Sequence, residues 1–153
     1  MTTPPGSSVI RILTVDDHPL LRDGIAAVFE AQEDMTLVGQ ASNGREGIES
    51  FRNLRPDVTL MDLRMPDMSG IEAIAAIRAE FPDARSIVLT TYAGDAQAAA
   101  ALKAGASGYL LKNMVRKELI ETIRAVHAGK RRVPPEIATG IAEHFADDAL
   151  TER

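Results

Sequence analysis

The chain has 153 residues, 45% hydrophobic and 25% charged, enough for one domain of ordinary size with a real core and a short appendage. Its net charge of −5 gives no basic footprint for nucleic acid, and with no cysteine there is no disulfide framework. The apolar runs fall far short of the roughly 18 residues a membrane span needs. Residues 1–8 have neither the basic nor the apolar region of a signal peptide, so they read as a disordered leader on a chain expected in the cytoplasm.

Five strand-like runs alternate with helix-like patterns. The first run, 9–15, leads into Val15-Asp16-Asp17. After it Leu21, Ile25, Val28 and Phe29 recur at i, i+4, i+7 and i+8, the spacing of an amphipathic helix. A second strand, 36–41, precedes Asn43, the expected N-cap of a helix carrying Ile48 and Phe51. The third, 58–62, ends on Asp62 and opens a loop punctuated by Pro66 and Gly70. Ile71, Ile74 and Ile77 mark the next helix, which Phe81-Pro82 ends. A strand over 86–91, an alanine-rich helix closed by Gly105, a strand over 108–111 and a helix holding Leu119, Ile120, Ile123 and Val126 complete the series, which stops at Gly129. Strict alternation of this kind predicts an α/β fold, a doubly wound five-stranded parallel sheet with helices on both faces, over residues 9–129. Residues 130–153 change character. A basic, proline-stiffened linker is followed by an expected C-terminal linker helix from Pro135, with Ile137, Ile141 and Phe145 on one face.

The chemistry collects at the strand ends. In a doubly wound sheet the C-terminal tips of neighbouring strands share one crevice, which here would gather Asp16, Asp17, Asp62, Thr90 and Lys112. Clustered carboxylates repel unless a cation joins them, and a hard divalent ion such as Mg²⁺ is the natural partner, bound by Asp17 and Asp62 with Asp16 direct or through water. Open positions on the ion would accept phosphoryl oxygens, to which Lys112 adds charge and Thr90 a hydroxyl donor. Asp62 would be the nucleophile, forming an aspartyl phosphate. Each residue alone has a plainer explanation. Asp17 could cap a helix, Asp62 could serve a turn, Thr90 could be there for β propensity, and Lys112 could be a solvated charge. Their coincidence at four strand tips favours a site. His18 reads as a loop or first-turn residue with no catalytic role, because no second histidine has metal-ligand spacing to it.

Four separated motifs now carry a resemblance: Val15-Asp16-Asp17-His18-Pro19, the run from Met61-Asp62 through Met65-Pro66 to Ser69-Gly70, Leu89-Thr90, and the run from Gly105 to Tyr109-Leu110-Leu111-Lys112. The chain resembles the receiver domain of bacterial two-component response regulators, most closely the NarL/FixJ (LuxR-type) subfamily. The resemblance implies a flavodoxin-like fold and phosphorylation of Asp62 by a sensor histidine kinase. It implies metal ligation by Asp17, Asp62 and the backbone carbonyl of Arg64, with Asp16 through water, and a switch pair of Thr90 and Tyr109. A homodimer on phosphorylation and control of transcription by the parent protein are implied as well. The chain departs from the pattern at Asn113, where many receivers have proline, and at Thr91 and Tyr92, where small residues are frequent. Leu150-Thr151-Glu152-Arg153 resembles the opening of a LuxR-type helix-turn-helix domain. DNA is therefore expected to be bound only through a C-terminal domain missing from this chain.

Two rivals remain at this level. A Mg²⁺-dependent phosphohydrolase with an aspartate nucleophile would place a second aspartate two residues on as general acid, where this chain has Arg64. A stand-alone receiver acting only through protein contacts would not need the intact acidic cluster and Lys112.

Overall fold

Side-chain alternation along five short strands decides the architecture. The computed structural model describes residues 9–91, 95–112 and 116–133. The expected leader, Tyr92, Asn113, the linker helix and the Leu150-Thr151-Glu152-Arg153 tetrapeptide lie outside them. The strands are β1 (Ile10–Val15), β2 (Met35–Ala41), β3 (Val58–Asp62), β4 (Ser86–Thr90) and β5 (Gly108–Leu111). Between and after them run α1 (Pro19–Glu30), α2 (Gly44–Leu54), α3 (Gly70–Glu80), α4 (Asp95–Ala104) and α5 (Arg116–His127). All paired strands are parallel, in the order β2-β1-β3-β4-β5.

The period of two in each strand sends alternate residues to two separate cores. Leu13, Val15, Met61, Val88 and Tyr109 join Phe51 of α2, Ile74 and Ile77 of α3, and Ala98 and Ala101 of α4. Ile12, Val58, Leu60, Ile87 and Leu110 join Ile25 and Phe29 of α1 and Leu119, Ile123 and Val126 of α5. Burying each such Leu or Ile fully contributes about 1.5–3 kcal/mol. Alanines form the buried side of α4 in the first of these cores. The helix ends at Gly105, whose φ of +115° suits glycine and whose missing side chain leaves room for Arg78. Where the chain leaves β1 for α1 and crosses back through β2 to β3, strand order reverses, and a crevice opens above the C-terminal tips.

Loops at that end are held by short polar contacts. Asn43 is the N-cap of α2, as the sequence predicts, its side chain accepting from the Glu46 amide at 2.9 Å. Asp67, from the loop after β3, accepts from the Gly44 amide at 2.9 Å and the Arg45 amide at 2.8 Å, and its own Met68 amide adds a third bond. The first three amides of α2 are thus satisfied from two different loops. Asp17, by contrast, is not a cap: the N-cap of α1 is His18, with Pro19 opening the helix.

The basic segment after α5 is exposed at residues 130–132, and the Arg132 backbone in addition pairs with β5. The Arg132 amide donates to the Ser107 carbonyl at 3.0 Å, and the Tyr109 amide donates to the Arg132 carbonyl at 3.1 Å. Backbone pairing leaves no side-chain signature, so the basic composition gave no sign of it.

The amides around Asp67, that of Arg45 foremost, hold its carboxyl below the usual range. A depressed carboxylate stabilises the fold above its unfolded-state pKa, and that contribution is lost as pH falls through the folded-state value. Asp67→Ala is expected to lower the melting temperature at neutral pH, and the gap to the parent should close on acidification through and below the ordinary carboxylate range. Thermal melts across that range check it.

Candidate functional site

Each reactive residue is positioned by its own backbone. Asp16 follows β1, and its amide donates to the Ala41 carbonyl at 3.0 Å, tying the loop to the end of β2. Asp62 is the last residue of β3 and is buried, with 3% of its surface exposed. Behind it the Gly70 amide donates to the Leu63 carbonyl at 2.9 Å. A Cβ at position 70 would collide with the carbonyl oxygen of Asp62, so only glycine lets α3 begin against this strand tip. Lys112 stands one residue beyond β5, its amide donating to the Thr90 carbonyl at 2.8 Å.

The side chains converge. Lys112 Nζ lies 3.1 Å from Asp62 Oδ2 and 3.2 Å from Asp16 Oδ2. Asp62 Oδ1 accepts weakly from the Arg64 amide at 3.3 Å. Asp17, Asp62, Arg64, Thr90 and Lys112 line one cleft of about 510 Å³. Of the sequence-predicted residues, Asp16 and Tyr109 do not line it; Asp16 reaches the group through Lys112, whereas Tyr109 stands apart. Its ring is fully buried in the core beneath α4, and burial pushes its phenol up to about 12. In register Val88 pairs with Tyr109 and Thr90 with Leu111. Thr90 and Tyr109 therefore share one face of the sheet on adjacent strands.

Charge is unbalanced here. Burial raises the pKa of Asp62 and the neighbouring Asp16 raises it further, while Lys112 and the Arg64 amide oppose them. Asp16 Oδ2, Asp17 Oδ1 and Asp62 Oδ2 are buried oxygens with no hydrogen-bond donor aligned on them, even though the Lys112 ammonium is at ion-pair distance from two of the three. Ligand atoms of Asp16, Asp17, His18 and Asp62 all lie within 4.8 Å of one another. Orphaned carboxylate oxygens at that spacing suit a divalent cation, so the residues fit the expected Mg²⁺.

His18 is the member of this group that the sequence reading set aside. It sits at the loop end as the N-cap residue of α1, but its Nδ1 is 2.7 Å from Asp16 Oδ1 and 3.1 Å from Asp17 Oδ1. The available signal was its adjacency to two candidate ligands; a search for a second histidine could not use it.

The sequence matches the response regulator receiver domain family over residues 12–124. It is 40% identical over 145 residues to the transcriptional regulatory protein LiaR of Bacillus subtilis, covering 93% of this chain and 69% of that protein. It is 38% identical over 143 residues to the nitrate/nitrite response regulator protein NarL of Escherichia coli, covering 93% and 66%. A crystal structure of a LuxR-family two-component response regulator from Aurantimonas superposes with a TM-score of 0.85 at 39% identity, covering 91% of this chain and 99% of that one. The chain spans about 59–72% of the length of the curated relatives it matches.

Asp62→Asn is nearly isosteric and removes the ionised group that burial and Asp16 disfavour, while Lys112 keeps its contact with Asp16. In metal-free buffer at neutral pH the variant is expected to melt a few degrees above the parent. Added Mg²⁺ should narrow that gap, which calorimetry with and without chelator reads directly.

Proposed function

The chain belongs to the response regulator receiver domain family, in its LuxR/NarL branch, and we propose that Asp62 accepts a phosphoryl group from a sensor histidine kinase in a Mg²⁺-dependent transfer. The reading is carried by one observation, the meeting of Lys112 Nζ with Asp62 Oδ2 and Asp16 Oδ2 from three different strand ends. An Asp62 carboxylate oxygen attacks phosphorus, the bond from phosphorus to the donor nitrogen breaks, and the departing imidazole takes up a proton. Lys112 meets the charge of the transferred oxygens, and the Thr90 hydroxyl, at the same cleft, donates to them. Asp17, Asp62 and the Arg64 carbonyl, with Asp16 through water, would hold Mg²⁺, which when bound supplies the positive charge that lets phosphoryl oxygens approach the carboxylates.

Thr90 and Tyr109 form the switch pair of this proposal. The hydroxyl turns to the phosphoryl group, and the ring, already enclosed here, is held in that inward position. Residues 9–129 act as the receiver, and residues 130–153 as a linker, an extra helix and the start of a LuxR-type helix-turn-helix domain. The protein would be a cytoplasmic transcription factor that dimerises on phosphorylation and reads DNA through a LuxR-type helix-turn-helix domain. Support comes from the relatives named as transcriptional or response regulators, of whose length this chain spans about two thirds. Among the described residues no helix is long and apolar enough to cross a membrane.

With acetyl phosphate and Mg²⁺ the chain is expected to gain one acid-labile phosphoryl mass on Asp62, absent from Asp62→Asn, from Asp17→Ala and from chelated samples. Transfer surviving in Asp17→Ala would remove the metal role. Continued turnover of a generic phosphate ester would point to a hydrolase instead.

Saturating the site with beryllium fluoride and Mg²⁺ is expected to shift sedimentation from monomer toward dimer. A chain that remains monomeric at high concentration would sever phosphorylation from dimerisation.

A further inference from the structure

His18 follows the two acidic residues directly, and Pro19 fixes the start of α1 immediately after it. Its backbone is extended (φ −100°, ψ 102°), and its side chain caps no helix amide. The ring turns instead to the carboxylates. Nδ1 stands 2.7 Å from Asp16 Oδ1, 3.1 Å from Asp17 Oδ1 and 3.6 Å from Asp62 Oδ2. A histidine that merely bonds a neighbouring carboxylate needs one such contact; this one faces three, drawn from two strand ends. Lys112 Nζ also approaches the same nitrogen at 3.2 Å, so a cation already stands beside it.

These separations are those of donors around one ion. Octahedral bonds of about 2.1 Å put neighbouring donors roughly 3 Å apart and opposite ones about 4.2 Å apart. We propose that His18 Nδ1 is a fourth protein donor of the acidic site, and that it tunes the site toward divalent transition ions that accept nitrogen, such as Mn²⁺, Co²⁺ and Ni²⁺, relative to Mg²⁺. The inference rests on the metal reading of Asp16, Asp17 and Asp62 given above. Mg²⁺ is a hard ion that keeps oxygen ligands and waters, so it gains little from an imidazole that water can replace. Imidazole suits the later first-row ions, whose affinity for such sites rises from Mn²⁺ through Co²⁺ to Ni²⁺. The loss of this one nitrogen therefore acts unequally on the two classes of ion.

His18→Ala separates the cases. The side chain is 59% exposed, so the substitution leaves the cores intact, and a melting curve confirms the fold. Calorimetric titration with NiCl₂ and with MgCl₂ is expected to show Ni²⁺ affinity falling at least about tenfold and Mg²⁺ affinity changing less than about threefold. Pulsed electron paramagnetic resonance on the MnCl₂-loaded parent should show nitrogen modulation that His18→Ala lacks. Equal changes for both ions, or no nitrogen modulation in the parent, would overturn the proposal. Tighter binding of both ions by the variant would also overturn it, since the ring would then be a competitor standing in the ion's place. Asp17→Ala guards the underlying reading: if it retains both ions at full affinity, the carboxylate site itself fails, whatever His18 does.

Discussion

Three carboxylates and one ammonium share the C-terminal edge of the sheet, and two of the carboxylates, Asp16 and Asp62, are almost fully buried. One positive charge cannot neutralise three negative ones, and burial strengthens their repulsion by removing the water that would screen it. The fold carries that imbalance as a standing cost, which is offset elsewhere by two cores of aliphatic side chains. Any ligand that brings positive charge to this point relieves it. The charge imbalance that a cation could relieve is therefore set by where the strands end.

What keeps the imbalance from relaxing is the backbone beneath it. A frayed strand end would let the carboxylates swing apart into water. Here the Asp16 amide is bonded to the end of β2, the Lys112 amide to the end of β4, and Asp62 is trapped against the start of α3 by a glycine that leaves no space to retreat. Each charged residue is thus anchored by a neighbouring element rather than by its own side-chain partners. The backbone of the site is thereby preorganised.

Much of this was legible in the sequence, for identifiable reasons. Strand tips and helix starts were visible because burial on both faces demands continuous β-branched and aliphatic runs, and because Asn43, Ser69 and Gly105 punctuate them. Asp16, Asp17, Asp62, Thr90 and Lys112 could be grouped because topology places strand tips together whatever their spacing in the chain. Three things could not be read. The Arg132 pairing is made by backbone groups that every residue has. Asp67 serves a helix that begins 23 residues earlier, a contact no local pattern encodes. His18 faces the acidic cluster through the direction of one loop, and a run of three adjacent residues does not reveal which way each side chain turns.

The Arg132 bridge has a mechanical consequence. The described chain after α5 is fastened beside β5 by two hydrogen bonds at Arg132, one of them from the amide of Tyr109 itself. A tug on Arg132 would be passed to Ser107 and Tyr109 through those two bonds. The reverse also holds. A shift of the Tyr109 backbone would pull on Arg132 through their shared hydrogen bond, so the aromatic residue in the core and the strip of chain after α5 are coupled through backbone alone.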